Sequence, residues 1–265
     1  VKTRILAVVK AFGYGSDAIE IAHFLVNQGV DYFGVAYTHE GVQLRKSGIS
    51  KPILVLHPQE QNLDLLIKNN LEPGLYSNRI LNAFLEKLNY NNKTSYPIHL
   101  KFNTGLNRLG FHYTESQTLS ESLKENKSIL IKGVYTHLAA SDDITEREFT
   151  LSQLNKFSQI FKDFNTINSS IIFHALNTSG VLQYPNAQYD MVRTGISLYG
   201  YGNDSKIDEK LKPVLKLKTV ISQINILEAG DSLGYNRAFI AKTKTKTATL
   251  PLGHADGIGR IYGNG

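Results

Sequence analysis

Apolar residues fall along the chain in two alternating rhythms. Short dense runs, rich in β-branched and aromatic side chains, occur at residues 5–9, 32–37, 53–56, 74–76, 98–102, 130–137, 171–175 and 189–193. Runs of this length and composition predict strands. Between them, apolar positions recur at helical spacing, as at 18–26, 63–67, 80–88 and 149–164. In the last of these Phe149, Leu151, Leu154, Phe157, Ile160, Phe161 and Phe164 carry the spacing. Asp17 and Asn78 are placed to cap helix starts, and the segment after Asn177 reads as a further helix. Eight strand–helix units in series predict an α/β fold, either a (β/α)8 TIM-type barrel or a doubly wound sheet. The barrel is favoured, because no glycine-rich dinucleotide fingerprint follows the first strand.

The rhythm changes near Lys212-Pro213. Beyond it, alternating runs at 215–226, 238–241 and 247–252 are separated by the turns Ala229-Gly230-Asp231 and Gly234-Tyr235-Asn236. This predicts a β-rich second domain, with the boundary in the polar stretch 202–213. We assign 1–205 to the barrel and 206–265 to the start of a C-terminal β domain. The chain begins on the approach to a strand and stops directly after a motif, so both ends read as cut.

Composition narrows the function classes. Net charge is +6, from 29 basic and 23 acidic residues spread along the chain, which suits small anionic ligands rather than nucleic acid. The densest basic run, at 242–246, alternates lysine with threonine and predicts a strand with one solvated face. There is no cysteine, which excludes a disulfide scaffold and cysteine-ligated metals and fits a reducing compartment. No apolar run approaches membrane-spanning length and no secretory signal is visible, so a cytoplasmic protein with no membrane partner is expected. No metal site is expected.

In a barrel the chemistry sits at the C-terminal ends of the strands. Lys10, Lys101, Arg108, His137, His174 and Arg193 all fall there. Lys10 follows the first apolar run directly and precedes Gly13 and Gly15, which let the backbone turn tightly. An amine walled by apolar neighbours loses hydration of its charged form, and its pKa falls until it can attack an aldehyde. Each residue alone also has a structural explanation: a strand-end lysine, a loop arginine, a core histidine.

Read together, the segments point one way. Ala7-Val8-Val9-Lys10-Ala11-Phe12-Gly13-Tyr14-Gly15 resembles the pyridoxal-phosphate lysine motif of alanine racemases. Thr104-Gly105-Leu106-Asn107-Arg108-Leu109-Gly110 resembles that family's T-G-x-x-R-L-G, His174-Ala175-Leu176-Asn177-Thr178 its H-x-x-N-S, and Val192-Arg193-Thr194-Gly195-Ile196 its V-R-x-G-I. Gly234-Tyr235-Asn236-Arg237-Ala238-Phe239 resembles S-Y-G-R-T-[FY], and Ala248–Gly257 resembles A-T-[LI]-P-[LI]-G-Y-A-D-G. The resemblance covers nearly the whole chain, in the family's order.

It implies a two-base racemase that interconverts L-alanine and D-alanine for peptidoglycan precursor supply. Lys10 would carry pyridoxal 5'-phosphate and serve as one base. Tyr235, reaching the site from the other subunit of a head-to-tail homodimer, would be the second. His137 would lie against the cofactor face, Arg193 at the pyridine nitrogen, and Tyr14, Asn177, Thr178, Gly195 and Ile196 at the phosphate end, with Gly195 and Ile196 donating backbone amides. Because arginine has no acceptor, the ring nitrogen would stay unprotonated and the cofactor would be a weaker electron sink. Arg108 would bind the substrate, forking onto its carboxylate or onto the cofactor's phenolic oxygen. In many members the lysine matching Lys101 is carbamylated and steadies that arginine, which makes Lys101 the candidate for carbamylation. Two positions depart from the pattern: Asn103 replaces an aspartate, and His254 replaces a tyrosine on the substrate corridor. Bacteria sometimes fuse this enzyme behind a peptidoglycan precursor ligase, and the abrupt start at Val1 is compatible with such a fusion. Two other classes compete. A non-catalytic barrel that carries the cofactor would lack the second domain. A decarboxylase of this barrel class would carry an acidic pyridine partner and a cysteine nucleophile.

Overall fold

The computed structural model describes residues 3–262. The chain divides into two compact units, Val1–Pro213 and Val214–Gly265. In the first, nine strands form in order: β1 (Arg4–Val8), β2 (Tyr32–Val35), β3 (Ile53–Val55), β4 (Glu72–Leu75), β5 (Tyr96–Asn103), β6 (Phe111–His112), β7 (Ile129–Tyr135), β8 (Ile172–His174) and β9 (Met191–Thr194). Eight of them make a wall in the order β8-β7-β5-β4-β3-β2-β1-β9, with every pair parallel; the two-residue β6 pairs with β5 off this path. No ladder joins β8 to β9. Asp190 bridges that seam: its backbone N–H donates to the Phe173 carbonyl at 3.0 Å and its carboxylate accepts the Phe173 N–H at 2.9 Å. A further bond runs from Arg193 N–H to the Leu176 carbonyl at 3.0 Å. The result is a nearly closed eight-stranded parallel barrel.

Helices cover the wall because their apolar stripes need a partner. Arg147–Asn165 buries Leu154, Phe157, Ile160 and Phe164 on one side, and Asn78–Tyr90 buries Ile80, Leu81, Phe84 and Leu88. The main apolar cluster lies between wall and helices, and includes Phe33, Val55, Leu66, Phe84, Phe102 and Phe173. A smaller cluster of Leu6, Val8, Tyr32, Leu54, Ile172 and Met191 lies in the lumen. The lumen also carries Glu72, His99, Lys101, His174 and Arg193, all buried. Side chains two apart on a strand share a face. His99 and Lys101 on β5 therefore point inward together.

Caps follow the sequence with one correction. Asp17 caps Ala18–Asn27, accepting from Ile19 N–H and Glu20 N–H. At Asn78–Tyr90 the cap is Ser77, whose hydroxyl faces Ile80 N–H, and not Asn78, which lies inside the first turn. The helix expected after Asn177 forms over Thr178–Gln183, with Asn177 as its cap.

The second unit is a small antiparallel β region. β10 (Gln223–Leu227) pairs with β13 (Thr245–Thr249), and β11 (Ser232–Leu233) pairs with β12 (Phe239–Ile240). Only part of the run read at 215–226 becomes a strand, since 214–222 has no regular structure. Likewise 242–244 lies outside β13 and turns instead. Among the described residues no helix is long and apolar enough to cross a membrane.

Candidate active site

A cavity of about 230 Å³ opens at the C-terminal ends of the barrel strands, lined by Lys10, Tyr14, Lys101, Arg108, Tyr135, His137, Asn177, Thr178, Ser179, Arg193, Gly195, Ile196 and Asn203 over an apolar floor of Val8 and Leu56. Four of these are basic and none is acidic. The lining is therefore built for an anion.

Lys10 stands two residues beyond β1, at the head of an unusual turn. Ala11, Phe12, Gly13 and Tyr14 all have φ between 54° and 62°, a full turn of left-handed backbone. Each non-glycine residue there costs roughly 1–2 kcal/mol. Gly13 relieves part of the cost, and a Cβ on it would also press within 3.0 Å of Ala18 N. Glu40 holds the turn from outside. One carboxylate oxygen accepts Ala11 N–H at 2.7 Å; the other accepts Ala36 N–H at 2.6 Å and Tyr37 N–H at 3.0 Å. One side chain thus ties the segment after β1 to the segment after β2.

The turn swings Tyr14 across to β9. A Cβ on Gly195 would sit 2.2 Å from the Tyr14 hydroxyl, so only glycine leaves room for it. Tyr14 also packs on Tyr199, with ring centroids 5.1 Å apart, and burial raises its pKa. At this end Thr178 Oγ1 accepts the Gly195 N–H at 3.0 Å. The Gly195 amide, expected to face a ligand directly, is thus taken by Thr178, whose hydroxyl hydrogen remains to donate. Asn177 is partly occupied too: its Oδ1 accepts Gly180 N–H at 2.9 Å and the Ser141 hydroxyl at 2.8 Å.

At the floor Arg193 is buried, and desolvation lowers its pKa to about 10. Its two Nη1 hydrogens go to His174 Nδ1 at 3.0 Å and the His174 carbonyl at 2.8 Å. Its Nη2 hydrogens go to the carbonyls of Thr136 at 2.6 Å and Ala175 at 3.0 Å, with His137 Nδ1 at 3.4 Å. Among the described residues only its Nε–H finds no acceptor. The guanidinium lies over the Tyr135 ring at 5.5 Å from the centroid. Burial and the cations Arg193, Lys101, Arg108 and Lys10 push the His137 pKa down to about 3, so the ring is neutral.

Lys101 is the deeply desolvated lysine of the site, 5% exposed. Burial, then Arg108, Arg193 and Lys10, lower its pKa to about 8, so it gives up its proton more readily than an ordinary lysine. Arg108 is exposed, in the loop after β5. Asn103, the departure from the family's aspartate, shapes that loop: its Oδ1 accepts Gly105 N–H at 3.1 Å and Asn107 N–H at 3.0 Å.

One cavity thus gathers Lys10, Tyr14, Lys101, Arg108, His137, Asn177, Thr178, Arg193, Gly195 and Ile196. Tyr235 belongs to the second unit, where it is fully exposed after Gly234 at φ 80°. Motif reading did not assign roles to Tyr135, Ser179, Asn203, Glu40, Glu72 or His99. Strand alternation could have found Tyr135 and His99, which lie two residues from His137 and Lys101.

The family profile described as alanine racemase, N-terminal domain, matches residues 1–203, and that of the C-terminal domain matches 214–265. The chain belongs to the alanine racemase family. It is 35% identical over 264 residues to an alanine racemase of Carboxydothermus hydrogenoformans, a match that takes in 98% of this chain and 71% of the relative. The structure of the alanine racemase of Clostridium difficile 630 superposes with a TM-score of 0.88 at 30% identity, over 98% of this chain and 69% of that one. An alanine racemase from Bartonella henselae, described with covalently bound pyridoxal phosphate, has a TM-score of 0.88 at 28% identity, over 98% of this chain and 72% of that one.

Proposed function

We propose that this chain interconverts L- and D-alanine with pyridoxal 5'-phosphate held on Lys10. One observation carries the reading: Lys10, the phosphate-end residues and a buried Arg193 share a single cavity whose lining has four cations and no carboxylate. The group fits. Tyr14, Thr178 and Ile196 meet at one end, where they would hold a phosphate. Arg193 keeps one uncommitted donor, its Nε–H, which would serve a pyridine nitrogen. When bound, pyridoxal phosphate supplies an electron-withdrawing ring conjugated to the substrate Cα, which acidifies the Cα hydrogen.

The chain's residues do the rest. Arg108 binds the substrate carboxylate by its forked donors. Lys101, when carbamylated, turns from a repelling cation into an anion that steadies Arg108. His137, neutral, would lie against the bound ring. Arg193, always a donor, would leave a pyridine nitrogen unprotonated. Lys10 moves the proton at Cα on one face. Tyr235 moves it on the other and comes from the partner subunit in a head-to-tail homodimer. Supply of D-alanine for peptidoglycan, in the cytoplasm, follows from that reaction.

The chain loaded with pyridoxal phosphate should exchange Cα deuterium of both alanine enantiomers, and borohydride reduction should fix the pyridoxyl group on Lys10. Tyr235→Phe should lose exchange of one enantiomer by about 10²–10⁴-fold while keeping that label. Absence of exchange by the parent chain overturns the reaction, and a label on another lysine overturns the site.

A further inference from the structure

The lumen carries a continuous hydrogen-bonded line that the reaction above does not use. Glu72 on β4 lies at its lower end. Its Oε2 is 2.9 Å from His99 Nε2, His99 Nδ1 is 3.1 Å from His174 Nε2, and His174 Nδ1 is 3.0 Å from Arg193 Nη1. All four side chains are buried. The lumen makes room for the line, since a Cβ on Gly133 would meet His99 Nδ1 at 2.2 Å.

Proton positions along this line are forced. Arginine only donates, so His174 Nδ1 must accept. A neutral His174 then carries its hydrogen on Nε2 and donates to His99 Nδ1. His99 in turn carries its hydrogen on Nε2 and donates to the Glu72 carboxylate. A proton added to either ring sets two donors against each other at one junction. The guanidinium is a buried cation, and a buried cation without a counter-charge is costly. The Glu72 carboxylate takes its hydrogen bond from His99 Nε2, so the Glu72 charge is directed along this line. Other groups face Glu72 at its end: Tyr32, whose phenol is pushed up by burial and by Glu72, and Arg4 and Lys132, which line the same opening. Arg45 and Tyr96 feel its charge as well.

We propose that Glu72 is a positioning residue that acts through His99 and His174 to fix the tautomers of both rings and the orientation of Arg193, from the opposite end of the barrel. What this does for a pyridine nitrogen rests on the function proposed above, but the line itself does not. Its test therefore uses the whole chain without cofactor. Nitrogen-15 NMR of histidine- and arginine-labelled protein at pH 7 should find His99 and His174 both neutral with hydrogen on Nε2. It should also find the Arg193 Nη1 hydrogens, which His174 holds, protected from exchange. Glu72→Gln keeps the shape and removes the charge. It should speed exchange of the Arg193 Nη1 hydrogens by at least about tenfold, with partial recovery in Glu72→Asp. A hydrogen on Nδ1 of either ring in the parent chain overturns the proposal without needing any variant to fold. Unchanged Arg193 exchange in folded Glu72→Gln overturns it too. Failure to label Lys10 would leave these signals untouched, so the two readings fail separately.

Discussion

His137 and His174 are neutral imidazoles held among cations, and that sets a pH dependence. Burial, followed by Arg193 and His99, keeps the His174 pKa well below its ordinary value. Burial, with Arg193, Lys101, Arg108 and Lys10, brings His137 to about 3. In the unfolded chain both titrate near 6.5. Below about 6.5 the unfolded state therefore binds protons that the folded state refuses. Stability is complete above that pH and falls as pH drops, by up to about 1.4 kcal/mol per unit for each ring. Urea unfolding should show a lower midpoint at pH 5 than at pH 7.5, and His137→Gln should flatten the slope. Equal midpoints in the parent chain would mean that the rings are protonated when folded. The depressed surface carboxylates Asp64 and Asp143 act only below about 4, outside this window.

At the scale of elements, the turn that carries Lys10 is not self-supporting. It draws on Glu40, from the helix Thr38–Lys46 that follows the next strand. A carboxylate accepts on both oxygens, whereas an amide offers one acceptor and one donor group. Glu40→Gln thus leaves either Ala11 N–H or the Ala36 and Tyr37 pair facing hydrogens. The expected loss is about 1–3 kcal/mol. Calorimetry should show a lower melting temperature, and the yield of pyridoxyl-Lys10 should fall with it; a variant as stable as the parent would show that the clamp does not matter. This clamp was not legible in the sequence. The Val9-Lys10-Ala11 segment placed the lysine, but Glu40 contributes through three backbone amides, which no side-chain pattern reports. The alternation of apolar runs did reveal the eight strands, because most of their residues are buried; β1 and β7 are exposed only toward their N-terminal ends. The cap at Ser77 was missed because serine and asparagine serve equally well there and stand side by side.

The barrel as a whole has one weak join, between β8 and β9, and Asp190 spans it. The Phe173 amide it satisfies belongs to a residue 1% exposed. Asp190→Ala would leave that N–H buried and unpaired, at about 1–3 kcal/mol. Asp190→Asn retains an acceptor and should be much milder. Denaturant midpoints that rank the two the other way would assign the seam's stability elsewhere. The circular order of the wall could be read from the eight units in series. The polar line in the lumen could not: it draws on residues as distant in sequence as Glu72 and Arg193. The motifs found the upper rim, where chain segments are contiguous, and were silent about the line beneath it.

Handedness gives the turn at Ala11–Tyr14 a last consequence. For an L-residue its backbone is the unfavourable mirror image of an ordinary helical turn; for a D-residue the same angles are the relaxed ones. Semisynthesis placing D-alanine at position 11 or 12 should therefore raise the melting temperature, where most backbone inversions in a folded chain would lower it. A drop at both positions would show that the turn relaxes in solution. A chain proposed to exchange the two mirror forms of alanine would thus itself accept the opposite form, at the residues next to its reactive lysine.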